Sequence, residues 1–263
     1  MTDNHDRGLQ FDLATLFGRR RALSLLGGAG LTLVACAPST TTPTTSSTSS
    51  ASAGAALETI PEETAGPYPG DGSNGPNALT QSGIVRSDIR SSFGSSTRTA
   101  EGVRLTIDLT VRKEDGTPFA GAAIYLWHCD MNGDYSMYSD RVKDENFLRG
   151  VQEADASGKL KFVSVFPGAY SGRWPHIHFE VYPSLDEATK AGNKIVTSQL
   201  ALPETTCKEV YGTTGYTQSV RNMSRTSLQQ DMVFRDGTDE QMASMSGDVA
   251  SGYTASLTFA VQG

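Results

Sequence analysis

Four side chains near the middle of a 263-residue chain have types and spacing that could do metal chemistry: Tyr135, Tyr170, His176 and His178. Two imidazoles and two phenols can make a four-donor cage for a hard, trivalent ion. Alternate side chains on a strand share a face, so His176 and His178 would stand about 7 Å apart on one side. Both can then reach one ion at roughly 2.1 Å from nitrogen. A His-X-His pair alone equally describes an amphipathic strand with two exposed imidazoles, and a lone loop tyrosine is more often a packing residue with a wet hydroxyl. The two phenols together narrow the choice. A free Tyr has a pKa near 10, so ionising two of them near neutrality needs a strongly charged cation. Zinc usually takes His, Cys or carboxylate, and copper electron-transfer sites want Cys and Met. Fe(III) meets the demand.

The elements that must position these residues read as mostly strands. Val103, Leu105, Ile107, Leu109 and Val111 alternate with polar neighbours, the period of a half-buried strand. Further strands are expected over Ala122 to Cys129, Lys159 to Val165, Trp174 to Tyr182 and Lys194 to Leu200. Met242 to Val261 reads as a hairpin broken at Ala250-Ser251-Gly252. Turn residues at Glu114 to Pro118 and Asp155 to Gly158 separate some of them. Thr226 to Phe234 reads as a short helix, and the Gly- and Pro-rich Pro61 to Gly75 as an ordered arm before the first strand. Many short strands with turns between them predict an all-β fold. We expect a single β-sandwich domain with short helices and long active-site loops.

That domain is expected over residues 57–263. Before it, Arg19-Arg20-Arg21 and the apolar run to Ala35 read as an export signal over 1–35, too short for a spanning helix. The paired arginines fit the twin-arginine route as well as general secretion. Leu33-Val34-Ala35-Cys36 resembles a lipoprotein cleavage box, which predicts lipidation of Cys36 and a cell-surface or secreted location. Residues 36–56 are rich in Ser, Thr and Pro and read as a disordered linker. The whole chain carries a formal charge of −7; residues 1–35 hold four Arg and three Asp, so the remainder carries −8. An acidic domain without a basic stripe argues against nucleic acid as partner. In an oxidising compartment the two remaining cysteines, Cys129 and Cys207, are expected to form a disulfide.

The motifs resemble those of the intradiol ring-cleavage dioxygenases, the non-haem Fe(III) enzymes that open catechols between their hydroxyls. The similar segments are Trp127-His128 with Gly133-Asp134-Tyr135-Ser136, Asn146 to Gly150, Asp155 to Gly158, Pro167 to Phe179, and Thr64-Ala65-Gly66-Pro67-Tyr68. The resemblance covers nearly all of the domain and is similar to a secreted bacterial subgroup. It implies Tyr135 and His176 as equatorial ligands and Tyr170 and His178 as axial ones. Tyr170 would be the ligand displaced by substrate and could accept its proton. Arg173 would stabilise charge on the substrate ring, Gln199 would help orient substrate and oxygen, and Tyr68 would line the pocket mouth. The separation of His178 from Gln199 is longer than the family's usual one, and the Tyr170–His176 loop is short. The implied reaction cleaves catechol-type aromatics with O2 to cis,cis-muconate-type diacids.

Two readings stand beside this one. A surface lipoprotein could bind aromatics or carbohydrates on the same sandwich without catalysis, although a pure binder would not need two phenols placed with His-X-His. A zinc hydrolase is disfavoured because no carboxylate follows the His pair at a convincing ligand position; Glu180 shares their face but is expected to be exposed or to stand behind the ligands. His128, beside Trp127, is expected to be a hydrogen-bonded structural histidine.

Overall fold

A computed structural model describes residues 57–263. The expected export signal, the linker and Cys36 therefore lie outside the described residues. Two four-stranded sheets face each other. The first has the order β4-β1-β8-β7 and the second β3-β2-β5-β6. In the first, β1 (Arg104–Lys113) pairs antiparallel with β4 (Lys159–Val165) and parallel with β8 (Gly252–Val261), whose other neighbour is β7 (Ser244–Asp248). In the second, β2 (Ala123–Trp127) lies between β3 (Arg149–Glu153) and β5 (His176–Tyr182), and β6 (Val196–Ala201) forms the far edge.

The alternation in β1 buries Leu105, Ile107, Leu109 and Val111 between the sheets, where they meet Ile124 and Leu126 of β2 and Ile177, Phe179 and Val181 of β5. Each such side chain contributes about 1.5–3 kcal/mol when taken out of water. The opposite face of the second sheet is covered too. Tyr125, Trp127, Val151 and Tyr182 pack there with Ala78, Leu79, Ile84 and Tyr135 from the segments that cross it. Every residue of β2 and β5 is consequently buried. An antiparallel sheet commonly leaves one face in water; here the N-terminal arm and the loop after β2 occupy that face, and the side chains expected to do chemistry point into the layer between.

The arm is ordered, as expected. Thr59 bridges to Ala260, Glu63 N–H bonds Thr197 O at 2.7 Å, and Ser198 Oγ bonds Pro61 O at 2.8 Å. One expected element is missing. Thr226 to Phe234 is a set of turns followed by a single 3-10 turn at Phe234–Asp236; the Asp231 carboxylate accepts from the N–H groups of Val233 and Phe234 and so caps the start of that last turn. Short helices were expected, and they are α1 (Leu185–Thr189), α2 (Glu204–Tyr211) and α3 (Thr217–Met223), at positions the sequence reading did not assign. Helices this short are marginal alone; α2 exists because Cys207, Val210 and Tyr211 enter the core. Strand β3 also escaped notice, since Arg149-Gly150-Val151-Gln152-Glu153 has one strong β former. Gly150 is required there because a Cβ would sit 2.5 Å from Ile89 Cγ2.

The expected disulfide is absent. Cys129 and Cys207 are both free and buried. Cys129 packs with the covered face of the second sheet and approaches Gly168 O at 3.4 Å, whereas Cys207 belongs to the core between the sheets. The loop after β2 and helix α2 that carry them bury each sulfur in its own cluster, and a buried thiol behaves as a small apolar group.

Candidate metal centre

Strand β5 sets the centre. His176 and His178 project from one face of it, with Nε2 atoms 3.0 Å apart and rings nearly perpendicular at 80°. Tyr170, in the loop that leads into β5, places its hydroxyl 3.1 Å from His176 Nε2. Tyr135 comes from the loop after β2, held by Ser139 Oγ on its N–H, and its ring meets those of Tyr170 and His178 edge-on at 5.9 and 6.2 Å. The structure thus gathers all four expected residues, from two loops and one strand, around one point.

The tautomer of His176 follows from its neighbours. Its Nδ1 lies 2.6 Å from Trp174 O, an acceptor, so Nδ1 carries the proton and Nε2 turns its lone pair inward. Burial pushes its pKa down to about 3, helped by the Arg173 charge. Burial and the neighbouring His176 depress His178 as well. Both rings are therefore neutral donors. Burial, then the adjacent Tyr170, raises the Tyr135 hydroxyl well above its ordinary value. That hydroxyl is fully enclosed and makes no hydrogen bond of good geometry, although Tyr170 is near enough to act on it. Among the described residues, no three His, Cys, Asp or Glu side chains gather into a metal site. A cation here must take phenol oxygens, and a highly charged one is what ionises a buried phenol. The donor set fits Fe(III).

Arg173 is not a surface residue. It is buried, with Nε 3.0 Å from Asp231 Oδ2 and Nη2 2.7 Å from Gln199 Oε1. Asp231 also accepts from Trp174 N–H at 2.6 Å, so one carboxylate fixes the guanidinium and the backbone that orients His176. Burial pushes the Asp231 pKa up, but Arg173, the Trp174 N–H and His176 together outweigh that and leave it below the usual value. Gln199 uses both ends of its amide: the oxygen takes Arg173 and the nitrogen donates to Thr64 O at 2.9 Å. It braces the arginine and the arm. Tyr68 stacks at a tilt between Tyr135 and Tyr138, with centroids 5.1 and 5.2 Å away, and so flanks the centre from the arm.

Asp231, Arg149 and Trp127 were not singled out from sequence. Arg149 is buried and donates to the carbonyls of Tyr68, Pro69 and Ser136, which ties the arm to the loop that carries Tyr135. Its place in the Asn146–Gly150 motif was the available signal. His128 is structural as expected, with Nδ1 2.7 Å from Cys129 O and Nε2 2.7 Å from Ser164 Oγ. Glu180 is fully buried, bonded to Lys194 Nζ and Tyr182 Oη at 2.7 Å each; these bonds hold it away from the role of a third ligand.

A family profile described as Dioxygenase matches residues 75–178, a span that includes all four clustered residues. The chain is 36% identical over 69 residues to a chlorocatechol 1,2-dioxygenase of Rhodococcus opacus, covering 26% of this chain and 27% of that protein. It is 32% identical over 105 residues to catechol 1,2-dioxygenase 1 of Acinetobacter lwoffii, 33% of each. Over these matched residues the chain is similar to the intradiol ring-cleavage dioxygenase family. It spans between about a quarter and a third of the length of these curated relatives. The fold agrees: an intradiol ring-cleavage dioxygenase from Tetranychus urticae superposes with a TM-score of 0.62 over 78% of this chain and 95% of that one, at 24% identity. Within this fold, the centre lies on the face of the second sheet that the arm and the loop after β2 cover.

Proposed function

We propose that this chain is an Fe(III)-dependent intradiol dioxygenase that cleaves catechol-type aromatics with O2 to cis,cis-muconate-type diacids. The observation that carries the reading is the convergence of the Tyr170 hydroxyl and the His178 ring nitrogen on His176 Nε2, at 3.1 and 3.0 Å, with the enclosed Tyr135 phenol beside them. Tyr135, Tyr170, His176 and His178 would hold the ion, which when bound would supply a Lewis acid that binds and polarises the catechol oxygens. The protein's own groups do the rest. Tyr170, the half-buried phenol, is placed to accept a catechol proton at Oη. Arg173, braced by Asp231 and Gln199, offers a fixed positive charge where charge develops on the ring. Tyr68 and the arm keep water from one side of the centre.

The test is to load purified protein with ferric ion and follow colour, oxygen uptake and product. Phenolate-to-iron charge transfer should colour the protein red, and catechol should shift the band. Tyr135→Phe should remove most of the colour and lower turnover by more than about 100-fold, the upper range for outer partners of a metal ligand. Full turnover in that variant sinks the ligand assignment.

The export signal, with Arg19 to Arg21 and Cys36, supports a further proposal that the enzyme works outside the cytoplasm as a lipid-tethered or secreted protein. Labelling with a radioactive fatty acid, lost in Cys36→Ser, checks the tether.

A further inference from the structure

The two imidazoles of the centre are held by different devices. Metal-binding histidines ordinarily donate their second ring N–H to a carboxylate, a carbonyl or water, which fixes the ring plane. His176 obeys this rule through Trp174 O at 2.6 Å. His178 does not: its Nδ1 is buried and has no hydrogen-bond partner among the described residues. What lies against His178 is a flat face. Trp127 is its cross-strand partner in the β2–β5 register, and the indole stacks on the imidazole with centroids 4.9 Å apart and planes only 5° from parallel. Tyr125 also stacks with the indole, at 5.1 Å and 23°. The indole thus packs against two rings, and its own Nε1–H has no hydrogen-bond partner among the described residues. Packing alone sets its plane.

We infer that Trp127 is the positioning residue for His178: the plane of this imidazole is set by a stacked indole, where its neighbour His176 is set by a hydrogen bond. The geometry explains how this works. Turning the imidazole about its Cβ–Cγ bond drives a ring edge into the indole, whose own plane is held by packing against Tyr125. The edges of His176 and Tyr135 close the remaining sides, at 80° and 63° to the His178 ring. A ring so confined keeps Nε2 aimed at the centre without an anchor on Nδ1. Both tryptophans of the chain thereby serve the centre, Trp174 with its carbonyl and Trp127 with its ring.

This inference rests on the metal reading for its purpose but not for its test. The comparison uses the unaltered protein, W127F and W127M. Phenylalanine keeps a smaller flat face; methionine fills the volume with a flexible chain and no face. The first readout needs no metal: side-chain 15N–1H NMR of histidine-labelled apoprotein. We expect one ring orientation for His178 in the unaltered protein, exchange broadening in W127M, an intermediate state in W127F, and His176 unchanged in all three. The second readout is ferric affinity by competition with a chelator, with a loss of about ten-fold or more expected in W127M, within the range for outer partners. W127F carries both measurements should W127M fail to fold. His178 equally locked in every folded variant, with unchanged ferric affinity, overturns the inference. Unaltered protein that takes up no ferric ion while His178 is locked by Trp127 would instead sink the metal reading and leave the positioning role standing.

Discussion

His178 and Gln199 face each other across the β5–β6 pairing, although they are well separated in the chain. The residues between them form the turn and helix α1 at Leu185–Thr189 before the chain returns as β6. Gln199 thus reaches Arg173, and Arg173 reaches Asp231, which makes one buried polar chain behind the centre.

That chain is strongest at its buried ion pair. Removing one partner of a buried pair leaves the other charge uncompensated and costs roughly 3–5 kcal/mol. Asp231→Asn keeps the shape but loses the charge, so a drop toward the low end, about 3 kcal/mol, is expected in urea unfolding. The freed arginine should also raise the KM for catechol while the ferric colour persists. An unchanged urea midpoint would contradict the buried pair.

The pH dependence of stability should carry the mark of His128. Burial pushes its pKa down to about 4, while in the unfolded chain it is near 6.5. Between those values the unfolded state binds the proton and the folded state refuses it. The stability tied to neutral His128 is thus complete above about pH 6.5 and is lost as pH falls toward 4. The loss is on the order of 3 kcal/mol at 1.36 kcal/mol per pKa unit. His176 and His178 shift the same way, so the slope should be read as the difference between metal-free unaltered protein and His128→Asn, the variant being flatter. Equal slopes would remove His128 from the account.

The arm's hold on the centre can be tested at two glycines. Gly70 has φ +65°, and a Cβ there would lie 2.7 Å from Arg149 Nη1; Gly75 has φ +100° and open space around it. Gly75→Ala should cost only the backbone strain, about 1–2 kcal/mol. Gly70→Ala must in addition displace the guanidinium that binds Tyr68, Pro69 and Ser136. It should be the less stable variant and the one whose arm is cut faster by a protease. Equal rates of cutting would show that Arg149 does not anchor the arm.

The sequence by itself determined the sandwich and the four clustered side chains. Both rest on local rules: period-2 alternation writes β1, β4 and β8 into the chain, and the same period puts His176 and His178 on one face whatever surrounds them. The tyrosines were legible because they sit in short motifs beside those strands. Only the tertiary structure decided the rest. Asp231 joins Arg173 from a distant turn, Trp127 meets His178 through strand register, and Arg149 works by reaching carbonyls on two separate loops. None of these contacts leaves a periodic trace, because they depend on where the chain returns. The free thiols show the same division: composition and compartment suggested a bond, but the direction in which the loop after β2 and helix α2 bury their sulfurs is fixed by packing.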